Sequence, residues 1–363
     1  MAANSYLLID AETQRVLVEH NSRQPLPPAS LTKIMTAYVA ELELASGRIK
    51  LEDEVPISVH AWQAEGSRMF IQEGTTVPLE LLLRGVIISS GNDASIASAE
   101  YIAGSESAFA DMMNEQARRI GMTDSHFENA TGLPAPEHKT TAWDLALLTR
   151  ALIRDFPEHY AIYAEKSFKF NGIDQPNRNR LLWRDRTVDG VKTGHTEEAG
   201  YCLVASAKRE EQRLISVVMG TESEEARMRE SQKLLSYGFR FFQTNHLYEA
   251  GVPLKTARVW YGNRKDVGLG AAAAVTVTIT RGAYDQLKAE LVVPNAIEAP
   301  IAEGQEIGRL VLKLGPEIVS EVPLVALEAV DEAGVFARIW DFLLLLFANL
   351  FASDKPAEGA AGG

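Results

Sequence analysis

Three short polar runs, in fixed order, constrain this sequence more than any bulk property: Ser30-Leu31-Thr32-Lys33, Ser90-Gly91-Asn92 and Lys192-Thr193-Gly194. Their first residues are 60 and 102 residues apart. Taken singly, each has an ordinary reading: a helix start with a solvated lysine, a loop between helices, the end of a strand. Taken together, they call for a chain that folds back on itself and brings distant segments to one place, because none of the runs holds a complete set of reacting groups.

The hydrophobic pattern supplies such a fold. Residues 5–10 and 15–21 alternate around a polar turn and predict a hairpin. Pro25, Pro27 and Pro28 stop it, and Leu31, Ile34, Met35, Tyr38, Val39 and Leu42 then recur at helical spacing, predicting a helix over 29–44 closed by Gly47. Further helices are predicted over 78–88, 94–102, 108–120 and 141–153, the last with Thr140 or Thr141 as its N-cap. Strands return at 190–193, 199–207 and 214–219, and a helix follows over 225–242. Strands at both ends with helices between predict an α+β domain over 1–243 whose ends meet in one antiparallel sheet.

Beyond residue 243 the helical period disappears. Residues 275–280 alternate strictly, as do the apolar positions around 287–293 and 310–314, so 244–329 reads as a small all-β domain. The segment 330–352 is expected to hold an amphipathic helix. Val335, Phe336, Ile339, Trp340, Leu343, Leu344 and Phe347 cover a broad arc, while Arg338, Asp341 and Asn349 share the narrow opposite stripe. That pattern suits a helix lying in a membrane interface better than one crossing it. An Ala/Gly-rich tail is expected over 353–363.

Composition narrows the function. A net charge of −13 disfavours a nucleic-acid surface, which needs clustered lysine and arginine. The seven histidines show no ligand-like grouping and no cofactor fingerprint is present, so neither metal nor cofactor is expected. Cys202 is the only cysteine and lies in an apolar run, which reads as a buried small hydrophobe.

The three runs suit nucleophilic catalysis. A serine hydroxyl needs a base before it attacks. Ser30 and Lys33 share a helix face, and Lys33 can serve as base only if neutral; an apolar pocket and a second cation, with Lys192 the natural candidate, would both lower its pKa. The Ser30 amide lies where free helical N–H groups favour a developing oxyanion. Ser90 can pass a proton to a leaving amine, Asn92 can hold a substrate amide through donor and acceptor, and Gly194 on a strand edge allows a substrate backbone to come close.

With these residues in view, the sequence resembles the D-alanyl-D-alanine carboxypeptidases, the low-molecular-mass penicillin-binding proteins of the penicillin-binding-protein-5 type. The resemblance runs through Pro28–Thr36, through Ser90-Gly91-Asn92-Asp93-Ala94, through the segment 188–196 and through Tyr237-Gly238-Phe239-Arg240-Phe241-Phe242. It implies a β-lactamase/transpeptidase-like fold and a serine peptidase that removes terminal D-alanine from peptidoglycan pentapeptides through an acyl-serine, with β-lactams as inhibitors. It implies Ser30 as nucleophile, Lys33 as base for acylation and for the deacylating water, and Ser90 as proton relay. The amides of Ser30 and His195 would form the oxyanion hole. Lys192, Thr193 and Arg227 would receive the substrate carboxylate, with Arg178 matching a family arginine near the site. It further implies a part in cell-wall organisation and cell shape, and work at the periplasmic face of the bacterial inner membrane, held to lipid by the C-terminal helix; a signal peptide is not evident ahead of residue 5. Thr131 stands where relatives often carry histidine, so a role for that histidine does not transfer. The alternatives are a class A β-lactamase, for which Glu128 lacks the right loop, a D,D-endopeptidase, and a non-catalytic peptidoglycan-binding module.

Overall fold

The computed structural model describes residues 1–352, with side chains described as far as Leu344; the expected tail over 353–363 lies outside the described residues. The chain divides into two compact units, Met1–Phe242 and a second beginning at Gln243.

The first unit opens with the hairpin β1 (Ser5–Asp10) and β2 (Val16–His20), followed by α1 (Lys33–Ala45). A helical layer with short strands comes next: β3 (Glu54–Pro56), α2 (Val59–Trp62), β4 (Thr76–Pro78), α3 (Leu79–Arg84), α4 (Asn92–Ala103), α5 (Glu106–Ile120), α6 (Ala142–Asp155) and α7 (Pro157–Tyr160). The hairpin β5 (Ser167–Phe170) and β6 (Ile173–Pro176) and the turn α8 (Leu181–Arg184) lead to β7 (Val188–Thr196), β8 (Gly200–Arg209), β9 (Gln212–Thr221) and α9 (Glu224–Phe241). Five strands form one antiparallel sheet in the order β2-β1-β9-β8-β7.

The period of two explains the layering. Leu7 and Ile9 of β1, with Val204, Val217 and Met219, face the core shared with α1, α4 and α6. Leu8, Leu203, Ala205 and Val218 face the other way, onto Met228, Leu234, Leu235 and Phe239 of α9. The sheet is thus covered on both faces, and β7 is left as an edge. The expected helix starts are borne out at α6, where Thr141 Oγ1 accepts the Asp144 N–H at 3.0 Å. Cys202 is fully buried, and burial pushes its thiol up to about 11, as suits an inert core residue.

The second unit holds β10 (Phe242–Tyr248), β11 (Lys255–Trp260), β12 (Asp266–Ala271), β13 (Val275–Thr280), β14 (Leu287–Val292), β15 (Ile297–Glu298), β16 (Glu306–Leu314) and β17 (Glu317–Ala326). Its larger sheet runs β14-β16-β17-β12-β11-β15, while β10 pairs with β13. Residues 330–334, expected to belong with the terminal helix, pair with the β unit instead, through bridges from Val330 to Ile301 and Glu332 to Gly262. The helix proper, α10 (Val335–Ala352), is tied to this unit through Asp341, whose Oδ2 accepts the Tyr261 N–H at 2.9 Å, while Arg338 pairs with Glu332 at the surface at 2.6 Å. Phe336 is 90% exposed and Trp340 65%. No helix among the described residues is long and apolar enough to cross a membrane.

Candidate active site

The first polar run does not begin as one continuous helix. Ala29–Thr32 forms a 3-10 turn entered through Ala29 at φ +48°, and the α-helix begins at Lys33. A tight i+3 turn at a helix start is common, and it still places Ser30 and Lys33 on one side. Lys33 is almost completely buried, and its ammonium donates to Ser30 Oγ at 2.9 Å, to Asn92 Oδ1 at 2.6 Å and to the Thr131 carbonyl at 2.6 Å. Burial, the largest influence, lowers its pKa from 10.5 to about 7 against the opposing pull of Asp93 and Glu106. Of the two influences expected to lower it, the apolar pocket is the one that acts. Lys192 is itself held well below the usual lysine range, first by burial and then by Lys33, Arg227 and Arg178.

The second run sits at a break in the helices. After α3 the chain makes a π-helical turn over Gly85–Ser89, and Ser90 takes φ +60° before α4 starts at Asn92. This exposes the Ser90 hydroxyl to Lys192 of β7, whose ammonium donates to Ser90 Oγ at 2.8 Å and to the Thr193 carbonyl at 3.1 Å. Asn92 was expected to offer both ends of its amide to substrate. Its oxygen is instead taken by Lys33, and Nδ2 donates to the Glu65 carbonyl at 2.6 Å, so it orients the lysine first. The next residue, Asp93, accepts N–H groups from Met69, Phe70 and Ala94 at 2.9 Å each and ties loop 69–71 to the head of α4.

Gly194 also differs from expectation. A β-carbon there would lie 2.9 Å from the Pro28 carbonyl and 3.3 Å from the Ala29 β-carbon. The close approach it allows is that of the chain's own serine turn to β7, which seats Ser30 beside the strand. Arg227 on α9 donates to the Gly194 carbonyl at 3.1 Å and lies over the Tyr201 ring, on which His195 also packs.

Ser30 stands where two cavities meet. The smaller, about 220 Å³, is walled by Ser90, Thr193, Arg227 and Tyr201, with Arg178 and His195 at its border. The larger, about 590 Å³, runs past Asn92, Thr131 and Thr196 toward Arg68, Phe70 and Asp174. Arg178 is exposed to the cleft and forms no ion pair among the described residues, so the structural ion pair that might have explained it is absent. Lys192 itself lines neither cavity; its ammonium lies behind the wall of the smaller one, on Ser90 Oγ.

A loop that carries no sequence motif completes the site. The Thr131 carbonyl holds Lys33, the Ala130 carbonyl accepts from Thr36 Oγ1 at 2.7 Å, and Gly132, at φ +83°, lies so close that a β-carbon would meet the Ala29 carbonyl oxygen at 1.8 Å. His138, absent from the expectations, joins the loop to the serine turn. Its Nδ1 accepts the Glu128 N–H at 3.2 Å, so Nε2 carries the hydrogen and donates to Thr32 Oγ1 at 2.8 Å; burial lowers its pKa to about 4 and keeps it neutral. Glu128 accepts the Glu137 N–H at 2.7 Å and braces this loop. Backbone carbonyls leave no trace in a sequence. The hairpin β5–β6 did leave one, the Asn171-Gly172 pair, whose φ values of +48° and +77° suit the turn such pairs form. Among the described residues no cluster of histidine, cysteine, aspartate and glutamate could hold a metal.

Comparison with known proteins agrees with this geometry. Residues 1–223 match the model of the family described as D-alanyl-D-alanine carboxypeptidase, and 242–332 match the penicillin-binding protein 5 C-terminal domain. The chain is 45% identical over 359 residues to the D-alanyl-D-alanine carboxypeptidase DacC of Escherichia coli, covering 97% of this chain and 90% of that protein. The crystal structure of penicillin binding protein 5 from Haemophilus influenzae superposes with a TM-score of 0.89 at 41% identity, covering 92% of this chain and 98% of that one. An ampicillin-bound penicillin-binding protein D2 from Listeria monocytogenes, 28% identical with a TM-score of 0.61, covers 66% of this chain and 98% of its own. The sheet with its helical layer, the serine–lysine pair at its edge and these matches along both units make the chain a member of the D-alanyl-D-alanine carboxypeptidase family of serine peptidases.

Proposed function

We propose that the chain removes the terminal D-alanine from peptidoglycan pentapeptide stems, with Ser30 as the acylated residue and Lys33 as its base. The observation that carries this reading is the environment of Lys33 Nζ. A neutral amine has two hydrogens and one lone pair. Asn92 Oδ1 and the Thr131 carbonyl, both 2.6 Å away, can only accept and so take the two hydrogens. The lone pair is left facing Ser30 Oγ at 2.9 Å, ready to receive its proton, and a pKa of about 7 keeps a large share of Lys33 in that form near neutrality.

The Ser30 oxygen attacks the carbonyl of the penultimate D-alanine while its proton moves to Lys33. The amides of Ser30 and His195 stabilise the oxyanion. Collapse breaks the peptide bond, and the leaving nitrogen takes a proton from Ser90, which is resupplied with the proton that Lys33 took from Ser30; Lys33 is then neutral again, and Lys192 holds the Ser90 oxygen in place. Thr193, with Arg178 and Arg227 at the wall of the smaller cavity, holds the departing carboxylate. Water then gives a proton to Lys33 and attacks the ester, and Ser30 regains its hydrogen. A β-lactam follows the same path as far as the ester, but its leaving nitrogen remains tethered and hinders water.

The working place we propose is the periplasmic face of the bacterial inner membrane. Support comes from the substrate class and from α10, whose exposed Phe336, Trp340 and Leu343 offer an apolar face to lipid while Asp341 accepts the Tyr261 N–H of its own unit. With few cations on that helix, apolar burial carries the attachment. Ser30→Ala should abolish both covalent labelling by fluorescent penicillin and release of D-alanine from pentapeptide; labelling that persists in this variant would place the nucleophile elsewhere.

A further inference from the structure

One groove on the first unit serves no step of the carboxypeptidase reaction. It holds about 390 Å³ and is lined by Arg178, Arg180, Trp183, Arg184 and Glu224. Arg178 and Glu224 also line the smaller cavity beside Ser30, so the groove continues the site outward on the side where D-alanine leaves. Arg180, Trp183 and Arg184 line neither of the cavities that meet at Ser30. A pentapeptide ends at the carboxylate received in the smaller cavity, and nothing in that substrate extends beyond it into the groove.

The segment that presents these side chains is held from below. Asn177 and Asn179 are buried, which turns Arg178 and Arg180 outward; the α8 turn then buries Leu181 and Leu182 and turns Trp183 and Arg184 outward. The two buried amides fix the course of the chain. Asn177 Nδ2 donates to the Glu165 carbonyl at 2.9 Å and its Oδ1 accepts the Asn179 N–H at 2.9 Å, while Asn179 Nδ2 donates to the Gly190 carbonyl of β7 at 2.8 Å. From 178 to 184 every outward residue is thus an arginine or a tryptophan. Trp183 is 48% exposed, with Lys166 Nζ 5.9 Å from the centre of its ring. Two carboxylates answer these cations. Glu224 is shared between Arg180 at 3.7 Å and Arg227 at 3.5 Å, and Glu225 pairs with Arg184 at 3.1 Å. The groove therefore keeps a surplus of positive charge around an exposed indole, on a chain whose net charge is −13. Such a local reversal of sign selects an anionic partner.

We propose, resting on the carboxypeptidase reading above, that this groove is a second binding site for the same polymer, where Arg180 and Arg184 hold the free carboxylates of a neighbouring stem peptide while the stem being trimmed occupies the cleft. Trp183 supplies a flat apolar surface for the aliphatic carbons of that second stem. The lining favours an acid over a sugar. Guanidinium groups only donate, whereas sugar hydroxyls call for acceptors as well, and the one lining carboxylate, Glu224, is already engaged. A contact of this kind keeps the protein on a polymer that bears many stems and raises the effective concentration of the next one.

The test uses the full chain acylated by penicillin, so that the cleft is filled, and measures its co-sedimentation with three polymers: isolated peptidoglycan, the same material after amidation of its carboxyl groups, and glycan stripped of its stems. Amidation and stripping should each weaken binding by about fivefold, as suits two solvent-exposed charge pairs. The sign discriminates, because a protein of net charge −13 that lacked a carboxylate site would bind the amidated polymer more tightly, its overall repulsion having been relieved. Trp183→Ala with Arg184→Gln should weaken binding to the untreated polymer by a similar factor, and leave kcat/KM on a soluble pentapeptide within about twofold. Binding that holds or rises on amidation, that is as tight on stripped glycan, or that survives the double substitution would overturn the proposal and leave the carboxypeptidase standing. Failure of the unacylated chain to release D-alanine from the soluble pentapeptide would overturn the underlying reading and this proposal with it.

Discussion

The two units of this protein break the ordinary partition of residues in opposite directions. In the first, charged and polar side chains sit inside: Lys33, Lys192, Asn92 and Arg227 are each less than a tenth exposed. In the second, large apolar side chains sit outside, on α10. Full burial of lysine is rare and demands partners, and contiguous exposed apolar surface is rare and demands a covering. The first unit meets its demand internally, through carbonyls, an amide and a hydroxyl. The second leaves its apolar side chains without cover among the described residues. Polar partners are thus supplied within one unit, while apolar cover is left open in the other.

Removing a buried partner should break this contrast most severely. Lys33→Ala takes away the base and should slow penicillin acylation by about 10³-fold in stopped-flow fluorescence. Gly132→Ala sets a β-carbon against the Ala29 carbonyl in a backbone conformation that alanine resists. A loss of about 3 kcal/mol, read from denaturant midpoints, is expected, with acylation falling in the fraction that stays folded. Because acylation needs neutral Lys33 and protons compete for it, the rate should rise about tenfold per pH unit below about 7 and level off above it. A flat profile from pH 5 to 9 would show that Lys33 is not the group being titrated. On the outer side of the contrast, Phe336→Ser with Trp340→Ser should weaken co-sedimentation with phospholipid vesicles by about tenfold or more, at about 1.5–3 kcal/mol for each large side chain no longer buried. The smallest effect is expected for Thr131→Ser, which should change acylation by less than about twofold, since the group that meets Lys33 is a carbonyl.

What the sequence made legible follows the same division. Ser30, Lys33, Ser90 and Lys192 were readable because each acts through a side chain within a short run, and the sheet that gathers them was readable from the two-residue alternation of β1, β8 and β9. The partners of Lys33 were less so. Its depressed pKa comes chiefly from being enclosed by packing, which no spacing of cations encodes. Thr131 contributes through its main chain, and Asn92 turned out to serve Lys33 where its residue type suggested a substrate contact. Gly194 was rightly read as a position of close approach, but which backbone approaches is decided by tertiary structure. The β5–β6 hairpin was not anticipated, although its Asn171-Gly172 turn is a local signal that could have revealed it.

The link between Lys33 and a peptide carbonyl has a consequence for how such a protein can drift over generations. A side-chain ligand is lost with one codon change, whereas a main-chain oxygen survives any replacement that leaves the loop's course intact. Position 131 is in this respect insulated: its side chain can change while Lys33 keeps its carbonyl partner. The vulnerable point is displaced one residue along, to Gly132, whose missing side chain keeps the path of that loop open.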